Sequence, residues 1–373
     1  MSVKKDKGRK MKNVLKAFYD KANKIETING REVVMEYTSL EEEYKALRTD
    51  NGIIDRSGFT VIKVGGSDAA EYLDGLCTKD ILYLNIDMIA ECLMLDDSAE
   101  ALGSVWVMHA GDDYYVVIPY ESSDNIPEWM NDHIGDKDVN LTDCSEMALV
   151  SLEGRKSWQI VRDVFDLDVD ILPLRGIQEI DDYDGKRFTV CRIGRTGEYG
   201  YMFFGEEDAV KKALEGCFGY ASKKGMKLSL CGAAAEEVCM IETRQPNFRY
   251  ENKDKGNVFE LCEQWFIQFE KEEYIGHEAL MDKFSKDRSR LSVNFVLDDR
   301  TALAEGDKVF LDGENAGEIL VAMYCPALER TIGIALIDVD YAVAGIELTA
   351  GNHKMETVSS PVVRPLSWDE KME

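Results

Sequence analysis

The sequence predicts an α+β protein of three parts, two α+β units followed by a small β-barrel or sandwich. Three observations lead to this prediction. The 373 residues exceed what one hydrophobic core usually organises. A theme of strand, glycine turn and helix occurs twice between residues 31 and 285. From Leu291 onward, short strand-like runs follow one another with turn residues between them, which is typical of a small barrel.

The first unit begins with apolar residues on one face of residues 11–24, which predicts a helix there. Residues 41–52 predict a second helix, followed by a short strand that ends at Asp55. Ser67 is the predicted cap of the helix after the next strand, because its hydroxyl can accept a first-turn N–H. Alternating apolar residues on both sides of 110–113 predict a β-hairpin.

The second unit repeats this order. An apolar strand over 148–152 precedes a glycine and a helix, and residues 187–204 read as a second hairpin. Residues 208–225 and 232–245 predict two further helices. Residues 283–290 are polar and charged, and they are the predicted linker into the barrel.

The net charge of −27 argues against two classes of partner. With 44 basic and 71 acidic residues, most of the surface repels nucleic acid and anionic membranes. No run of about eighteen apolar residues is present, so no membrane span is predicted. The basic segment 1–12 is not followed by an apolar stretch, which argues against a secretory signal and favours a solvated tail.

Nine cysteines are scattered along the chain without a CxxC pair or zinc-like Cys/His spacing. Most of them lie in apolar runs. This pattern favours buried, reduced thiols in a cytoplasmic protein, with no metal site and no disulfide framework.

One loop carries an unusual acid. The segment RIGRTGEYGYMFF has two strand-like runs around glycines 194, 197 and 200, with Glu198 inside the turn and arginines at 192 and 195. Turns usually hold Asn, Asp and Gly for backbone reasons. A glutamate in this place is either a solvated turn residue or a ligand contact.

Six segments in order carry a family resemblance. They are GIIDRSGFTVIKVGGSDAAEYLDGLCTKDI, ALVSLEGRKSWQIV, RIGRTGEYGY, CGAAAEEVCMIETRQP, FEKEEYIGHEAL and VAMYCPALERTIGIALI. Together, from about Tyr37 to Arg364, they resemble the tetrahydrofolate-binding aminomethyltransferases typified by the glycine cleavage T-protein. The resemblance implies a three-domain cloverleaf, two α+β domains plus a C-terminal β-barrel, with folate in the central channel.

The resemblance and the pattern of elements together suggest four regions. Residues 1–30 are an N-terminal tail and helix, and residues 31–140 are the first α+β, folate-binding domain. Residues 141–285 are the second α+β domain, and residues 290–373 are the barrel.

Glu198 matches the family's pterin-binding glutamate. A pterin edge presents a ring N–H beside an amino group, and one carboxylate accepts both in a charge-assisted pair. The resemblance gives Gly197 the role of letting the backbone come close to the flat ring. A solvated turn glutamate is the alternative for Glu198.

Further cofactor contacts are expected from basic residues near these motifs. Arg192, Arg195, Arg244 and Arg249 could bind the glutamyl carboxylates of a folate, with surface ion pairs as the alternative for each. Asp55 matches a family position near the channel, with a structural turn role as its alternative. We expect no metal.

The sequence also departs from the family. Where the family has a catalytic aspartate, Gly103 or Ser104 stands here, and Glu236 and Met240 replace two family arginines. Tyr199 and Tyr201 could supply a hydroxyl to the site, with packing as their alternative. The candidate catalytic residues are therefore Tyr199, Tyr201 and Ser104.

These departures resemble the family's demethylase branch. The resulting prediction is an enzyme that moves a methyl group from an O-, S- or N-methyl compound to N5 of tetrahydrofolate. The alternatives are an aminomethyltransferase of glycine cleavage and a non-catalytic folate-binding accessory protein. The expected partner is a small-molecule methyl donor, together with a carrier or partner protein of unknown identity.

Overall fold

The computed structural model describes residues 11–372, apart from the side chain of residue 182. In these residues the strands are, in chain order, β1 (Lys24–Ile28), β2 (Arg31–Glu36), β3 (Gly52–Asp55), β4 (Thr60–Gly65), β5 (Met88–Leu95), β6 (Ala101–Ala110), β7 (Asp113–Ile118), β8 (Asn140–Asp143), β9 (Met147–Glu153), β10 (Ile177–Tyr183), β11 (Lys186–Cys191), β12 (Gly200–Glu206), β13 (Ser229–Cys231), β14 (Arg290–Leu297), β15 (Lys308–Leu311), β16 (Glu314–Cys325), β17 (Arg330–Asp338), β18 (Glu347–Ala350) and β19 (His353–Val358). The α-helices are α1 (Leu40–Thr49), α2 (Ala69–Leu76), α3 (Ile126–Asp132), α4 (Ser157–Phe165), α5 (Glu207–Lys224), α6 (Ala233–Thr243) and α7 (His277–Ser285).

The first sheet is antiparallel, in the order β5-β6-β7-β4-β8. Alternation along β6 gives it two buried faces. Val105 and Val107 point into the core shared with α2 and α3, while Trp106 and Met108 point to the opposite side. The predicted hairpin around 110–113 is therefore confirmed as β6 and β7.

The second sheet has the order β10-β11-β12-β9-β3-β13. Along β12, Phe203 packs under α4 and α5, and Met202 and Phe204 face the first sheet. The two sheets therefore lie face to face, with helices on their outer sides. Strand β3 lies inside the predicted first domain, yet it pairs with β9 and β13 of this second sheet.

The C-terminal barrel is closed, in the order β14-β17-β16-β15-β18-β19, which confirms the predicted barrel. Helices α1 and α6 pack between the second sheet and this barrel. Every residue of α6 from 233 to 242 is buried. Polar side chains on α6 are therefore held at the centre of the molecule, where both sheets and the barrel meet.

The N-terminal helix prediction is wrong over most of 11–24. Only a short 3-10 helix, Lys16–Lys21, forms there, and β1 begins at Lys24. Asn29 and Gly30 close the β1–β2 hairpin with φ of 46° and 71°, the left-handed pair that a tight two-residue turn requires. The predicted solvated tail over 1–12 falls almost entirely outside the described residues.

The helix after β4 also differs in detail. Asp68 is its N-cap residue, while the Ser67 hydroxyl bonds to Asp138 at 3.0 Å. No helix in the described part of the chain has the length and apolarity needed to cross a membrane. All nine cysteines are free thiols, and eight of them are buried.

Candidate functional site

The loop between β11 and β12, residues 192–199, is held by one buried carboxylate. Glu153, the last residue of β9, accepts the N–H groups of Arg195 and Thr196 at 3.0 and 3.1 Å and the Thr196 hydroxyl at 2.9 Å. A Cβ added at Gly200 would lie 2.6 Å from the Gly194 Cα, so the two ends of the loop meet without room for side chains. The loop is thus fixed against the second sheet.

The Glu198 carboxylate is fully buried and bound by three donors. Its Oε1 accepts the N–H of Leu366 at 2.9 Å, and its Oε2 accepts the N–H of Ser367 at 2.8 Å. Arg48 of α1 adds an ion pair to Oε1 at 3.1 Å. One backbone N–H donor on each oxygen, side by side, is the arrangement in which a carboxylate binds a flat edge bearing two N–H groups.

The two backbone donors, Leu366 and Ser367, come from the C-terminal strap, which we define as residues 365–370. The Trp368 indole donates to the Gly197 carbonyl at 3.1 Å, and the Tyr199 hydroxyl donates to the Glu370 carbonyl at 2.9 Å. A Cβ at Gly197 would lie 2.7 Å from Thr243 and 3.0 Å from Pro365. The close approach at Gly197 is therefore to the chain itself, and the strap lies across the Glu198 loop.

A buried ion network surrounds this loop. Arg56 bonds to Glu236 at 2.7 Å and to Glu153 at 2.8 Å. Arg195 bonds to Glu121 at 2.8 Å and lies 4.0 Å from Glu236. The network comprises the side chains Arg48, Arg56, Arg195, Glu121, Glu153, Glu198, Glu236 and Glu242.

Charge balance in the network differs from one carboxylate to the next. Burial raises the pKa of Glu153. Burial acts the same way on Glu236, but attraction to Arg56 and Arg195 outweighs it, and the pKa of Glu236 falls. Burial opposes the charge of Arg56, yet Glu236 and Glu153 raise the arginine's pKa. The arginines are therefore permanently charged centres that hold the carboxylates in place.

An open cleft adjoins the network. It lies between the β1–β2 turn, the start of β6, the segment after β7 and the loop after α6. Its lining residues are Ile28, Asn29, Ala101, Leu102, Glu121, Ser122, Ser123, Phe248, Arg249, Asn252, Lys253 and Asp254. Within residues 11–372 the Lys253 ammonium has no carboxylate partner, so it is a cation available at the cleft. No cluster of metal-ligating side chains occurs in the described part of the chain.

Comparisons with known proteins cover nearly the whole chain. Residues 15–271 match the GCVT N-terminal domain, and residues 290–367 match the glycine cleavage T-protein C-terminal barrel domain. The chain belongs to the glycine cleavage T-protein family. The predicted resemblance and fold class are therefore confirmed, and the chain is a member of a family of transferases.

Relatives of this T-protein family member extend the comparison. An aminomethyltransferase of Alkaliphilus oremlandii is 26% identical over 90% of this chain and 92% of its own length. A probable aminomethyltransferase of Thermococcus kodakarensis is 26% identical over 93% of this chain and 95% of its own length. The crystal structure of glycine cleavage system aminomethyltransferase T from Bartonella henselae superposes with a TM-score of 0.83 at 19% identity, over 94% of this chain and 98% of that one. The last match shows a shared fold.

Two of the predicted cofactor arginines, Arg192 and Arg244, form hydrogen bonds within this T-protein family member. Arg192 donates to the carbonyls of Val169 and Leu172, and its guanidinium lies over the Tyr199 ring. Arg244, at the end of α6, donates to the Leu261 carbonyl. Arg249 forms ion pairs with Glu26 at 2.6 Å and Glu237 at 3.2 Å. Of the four candidate arginines, only Arg195 joins the ion network.

Asp55 has a local structural role. Its carboxylate accepts the Tyr19 hydroxyl at 2.6 Å and the backbone N–H two residues later at 2.7 Å. This is the turn-stabilising alternative, since an Asp commonly bonds the backbone two residues on. A role in binding a cofactor stays a prediction.

Of the three predicted catalytic residues, the two tyrosines lie against one core, while Ser104 lies on a strand of the other sheet. Tyr199 and Tyr201 are two apart, so they lie on the same side of the chain, against the core under α4 and α5. Tyr201 is completely buried there, a position that favours packing. Ser104 lies in β6, where its carbonyl accepts the Ser122 hydroxyl at 2.9 Å.

Sequence reasoning missed Arg48, Arg56 and Glu121. Arg56 lies in the Asp-x-Ser segment that resembles the start of the family sequences. The sequence feature that pointed to a buried partner for it was Glu236, which replaces a family arginine. A glutamate in place of a central arginine needs a new cation nearby, and Arg56 supplies it. Glu121 had no motif to mark it.

A pH-dependent effect on stability is expected at Glu237 of α6. Burial raises its pKa from 4.5 to about 7, although Arg249 and Tyr250 oppose the shift. The pKa of Glu237 is higher in the folded than in the unfolded protein. The stabilising contribution of this group is therefore fully present below about pH 4.5 and is lost as the pH rises towards 7.

Glu237→Gln should flatten this profile. Relative to the wild type, the variant should gain roughly 1–3 kcal/mol of unfolding free energy between pH 5 and pH 8. Urea unfolding at both pH values measures this. Glu215→Gln, an exposed change on α5, is the matched control, and parallel profiles for the wild type and Glu237→Gln would contradict the expectation.

Proposed function

We propose that the protein is a tetrahydrofolate-dependent aminomethyltransferase of the glycine cleavage type. Family membership over residues 15–271 and 290–367 supports this, as does the aminomethyltransferase of Alkaliphilus oremlandii that matches 90% of this chain. The observation that carries the proposal is the Glu198 carboxylate, with one backbone N–H donor on each oxygen. A pterin edge offers the same pair of donors.

The residues around Glu198 fit this ligand chemistry. Arg48 keeps the carboxylate oriented, and it also donates to the Thr196 carbonyl at 2.8 Å. In the folate-bound protein, Glu198 would exchange the Leu366 and Ser367 N–H groups for the two donors of the pterin edge. The strap would then move away from the loop. The free-energy cost of this exchange is modest, because uncharged N–H donors replace uncharged N–H donors.

Tetrahydrofolate, when bound, supplies the nitrogen that accepts the one-carbon unit. The chain's own residues bind and orient. Glu198 fixes the ring, and Glu153 fixes the loop that carries Glu198. Lys253 at the cleft provides positive charge for the carboxylates of a glutamyl tail, against a net charge of −27, while Arg249 beside it is paired with Glu26 and Glu237. Such positioning is worth several orders of magnitude in rate.

The proposed donor is an aminomethyl group on the lipoyl arm of a carrier protein. Nine free cysteines suit a reducing compartment, which supports the cytoplasm as the location. The second candidate is methyl transfer from a small-molecule donor. It is favoured by the absence of a carboxylate at Gly103 and Ser104 of β6.

A transfer assay separates these candidates. The protein is mixed with tetrahydrofolate and either an aminomethyl-lipoyl carrier protein or a panel of O-, S- and N-methyl compounds. The proposal expects 5,10-methylenetetrahydrofolate and ammonia from the carrier. Formation of 5-methyltetrahydrofolate from a methyl compound would favour the second candidate. Folate binding with no turnover on any donor would leave an accessory protein and overturn the proposal.

A further inference from the structure

Three buried acids in the described residues, Glu121, Glu251 and Glu263, have a carboxylate oxygen without a hydrogen-bond partner, and of these Glu121 is the one that lines the open cleft. Its side chain is 2% exposed, and its Oε1 bonds to Arg195 at 2.8 Å. Its Oε2 is buried and accepts no hydrogen bond within residues 11–372. Buried charged oxygens are rarely left in this state, because desolvation without a partner costs free energy.

Glu121 lines the open cleft. With Oε1 taken by Arg195, Oε2 is the acceptor that remains for a ligand in that cleft. The other Arg195 neighbour is Glu236, at 4.0 Å. Glu121 therefore stands between the ion network and the cleft, and the network fixes its orientation.

The backbone around Glu121 is also held. The Asn29 side chain donates to the carbonyls of Tyr120 and Ser122 at 2.9 and 3.3 Å. The Ser123 N–H donates to the Leu102 carbonyl at 2.8 Å. Segment 119–123 is thus tied to the β1–β2 turn on one side and to β6 on the other. A carboxylate placed in this way is preorganised.

Packing explains why a carboxylate stands here and not on β6. A Cβ added at Gly103 would lie 2.3 Å from the Ser122 Cβ, so β6 has no room for a side chain at that point. Ser122 fills the space, and the residue before it in the chain is Glu121. The acid is therefore supplied by the segment that packs on β6.

We infer that Glu121 is a catalytic residue whose Oε2 accepts a hydrogen bond from the amine of the transferred one-carbon group and stabilises positive charge there. This rests on the proposed function. In the transfer the N5–carbon bond forms and the carbon–sulfur bond breaks, with its electron pair going to sulfur and the N5 proton to the thiol. The N10–carbon bond then forms and the carbon–amine bond breaks, and the amine leaves with the N10 proton as ammonia, so no oxidant or reductant is needed. Glu121 acts as a fixed negative charge throughout.

The test compares Glu121→Gln with the wild type in the carrier-protein transfer assay. We expect kcat to fall about 100-fold, because one preorganised electrostatic contact is typically worth this much. The dissociation constant for tetrahydrofolate, measured by calorimetry, should change by less than about threefold. Asp124→Asn removes an exposed charge from the same segment and should keep the wild-type rate.

The outcomes are distinguishable. A wild-type protein that neither binds tetrahydrofolate nor transfers would refute the proposed function. A wild-type protein that transfers, with Glu121→Gln at the same kcat, would overturn the inference about Glu121 alone. If Glu121→Gln does not fold, Glu121→Asp decides, since it keeps the charge beside Arg195 but shortens the side chain. A folded Glu121→Asp with a reduced kcat supports the inference, and a wild-type kcat overturns it.

Discussion

Replacing Arg56 by methionine is expected to lower the free energy of unfolding by about 3–5 kcal/mol. The side chain is 1% exposed and lies between Glu153 and Glu236, which are equally buried. Without the guanidinium, two carboxylates remain in a dry interior with no opposite charge between them. Glu153 also fixes the 192–199 loop, so the loss should extend to the candidate site. Urea unfolding at pH 7 measures the change.

Two comparisons make the Arg56 result interpretable. Arg187→Met removes an exposed arginine that pairs with Glu179 and Asp181, and it should cost less than about 1 kcal/mol. Adding Glu236→Gln to Arg56→Met should restore part of the loss, because one unpaired charge is removed. Equal stability of Arg56→Met and the wild type would show that the network is not needed for folding.

Glu198→Gln is expected to weaken tetrahydrofolate binding by about 1.5–3 kcal/mol, roughly 10- to 100-fold. The glutamine amide keeps one acceptor oxygen, but its NH2 group would face an N–H donor of the pterin edge. It also removes the negative charge opposite Arg48. Calorimetric titration of tetrahydrofolate into both proteins measures the difference.

The strap provides the control for Glu198. Trp368→Ala removes the indole that bonds to the Gly197 carbonyl, yet it keeps the carboxylate. If the strap and the pterin edge compete for Glu198, Trp368→Ala should bind tetrahydrofolate at least as tightly as the wild type. If Glu198 only anchors the strap, both variants should lose stability while their folate affinity stays at the wild-type value.

Much of the local structure could be predicted from the sequence because its signals are local. The alternation around 101–118 and 187–204 identifies two hairpins, and the run of short strands after Leu291 identifies the barrel. The loop with Glu198 could be placed between two strands for the same reason. The β1–β2 hairpin was predictable as well, since Asn29-Gly30 is a strong turn signal, but the helical face of 11–24 masked it.

The site itself depends on contacts between distant residues. Arg56 and Glu236 are 180 positions apart, and Glu198 and Leu366 are 168 apart. Composition and periodicity carry no information about such pairs. The buried ion network, the strap on Glu198 and the unpartnered oxygen of Glu121 therefore required the structure. Strand β3 joins the second sheet for a similar reason, because its partners β9 and β13 follow much later in the chain.

The central claim is that Glu198 holds a pterin in a folate-dependent transferase. Titration of tetrahydrofolate into the wild-type protein tests it most directly. Titration of the same buffer without tetrahydrofolate is the blank. The predicted result is saturable binding at one site per chain, weakened in Glu198→Gln. If no saturable heat is seen up to roughly 1 mM tetrahydrofolate, the claim is contradicted. A dissociation constant of that size corresponds to a binding free energy of only about 4 kcal/mol.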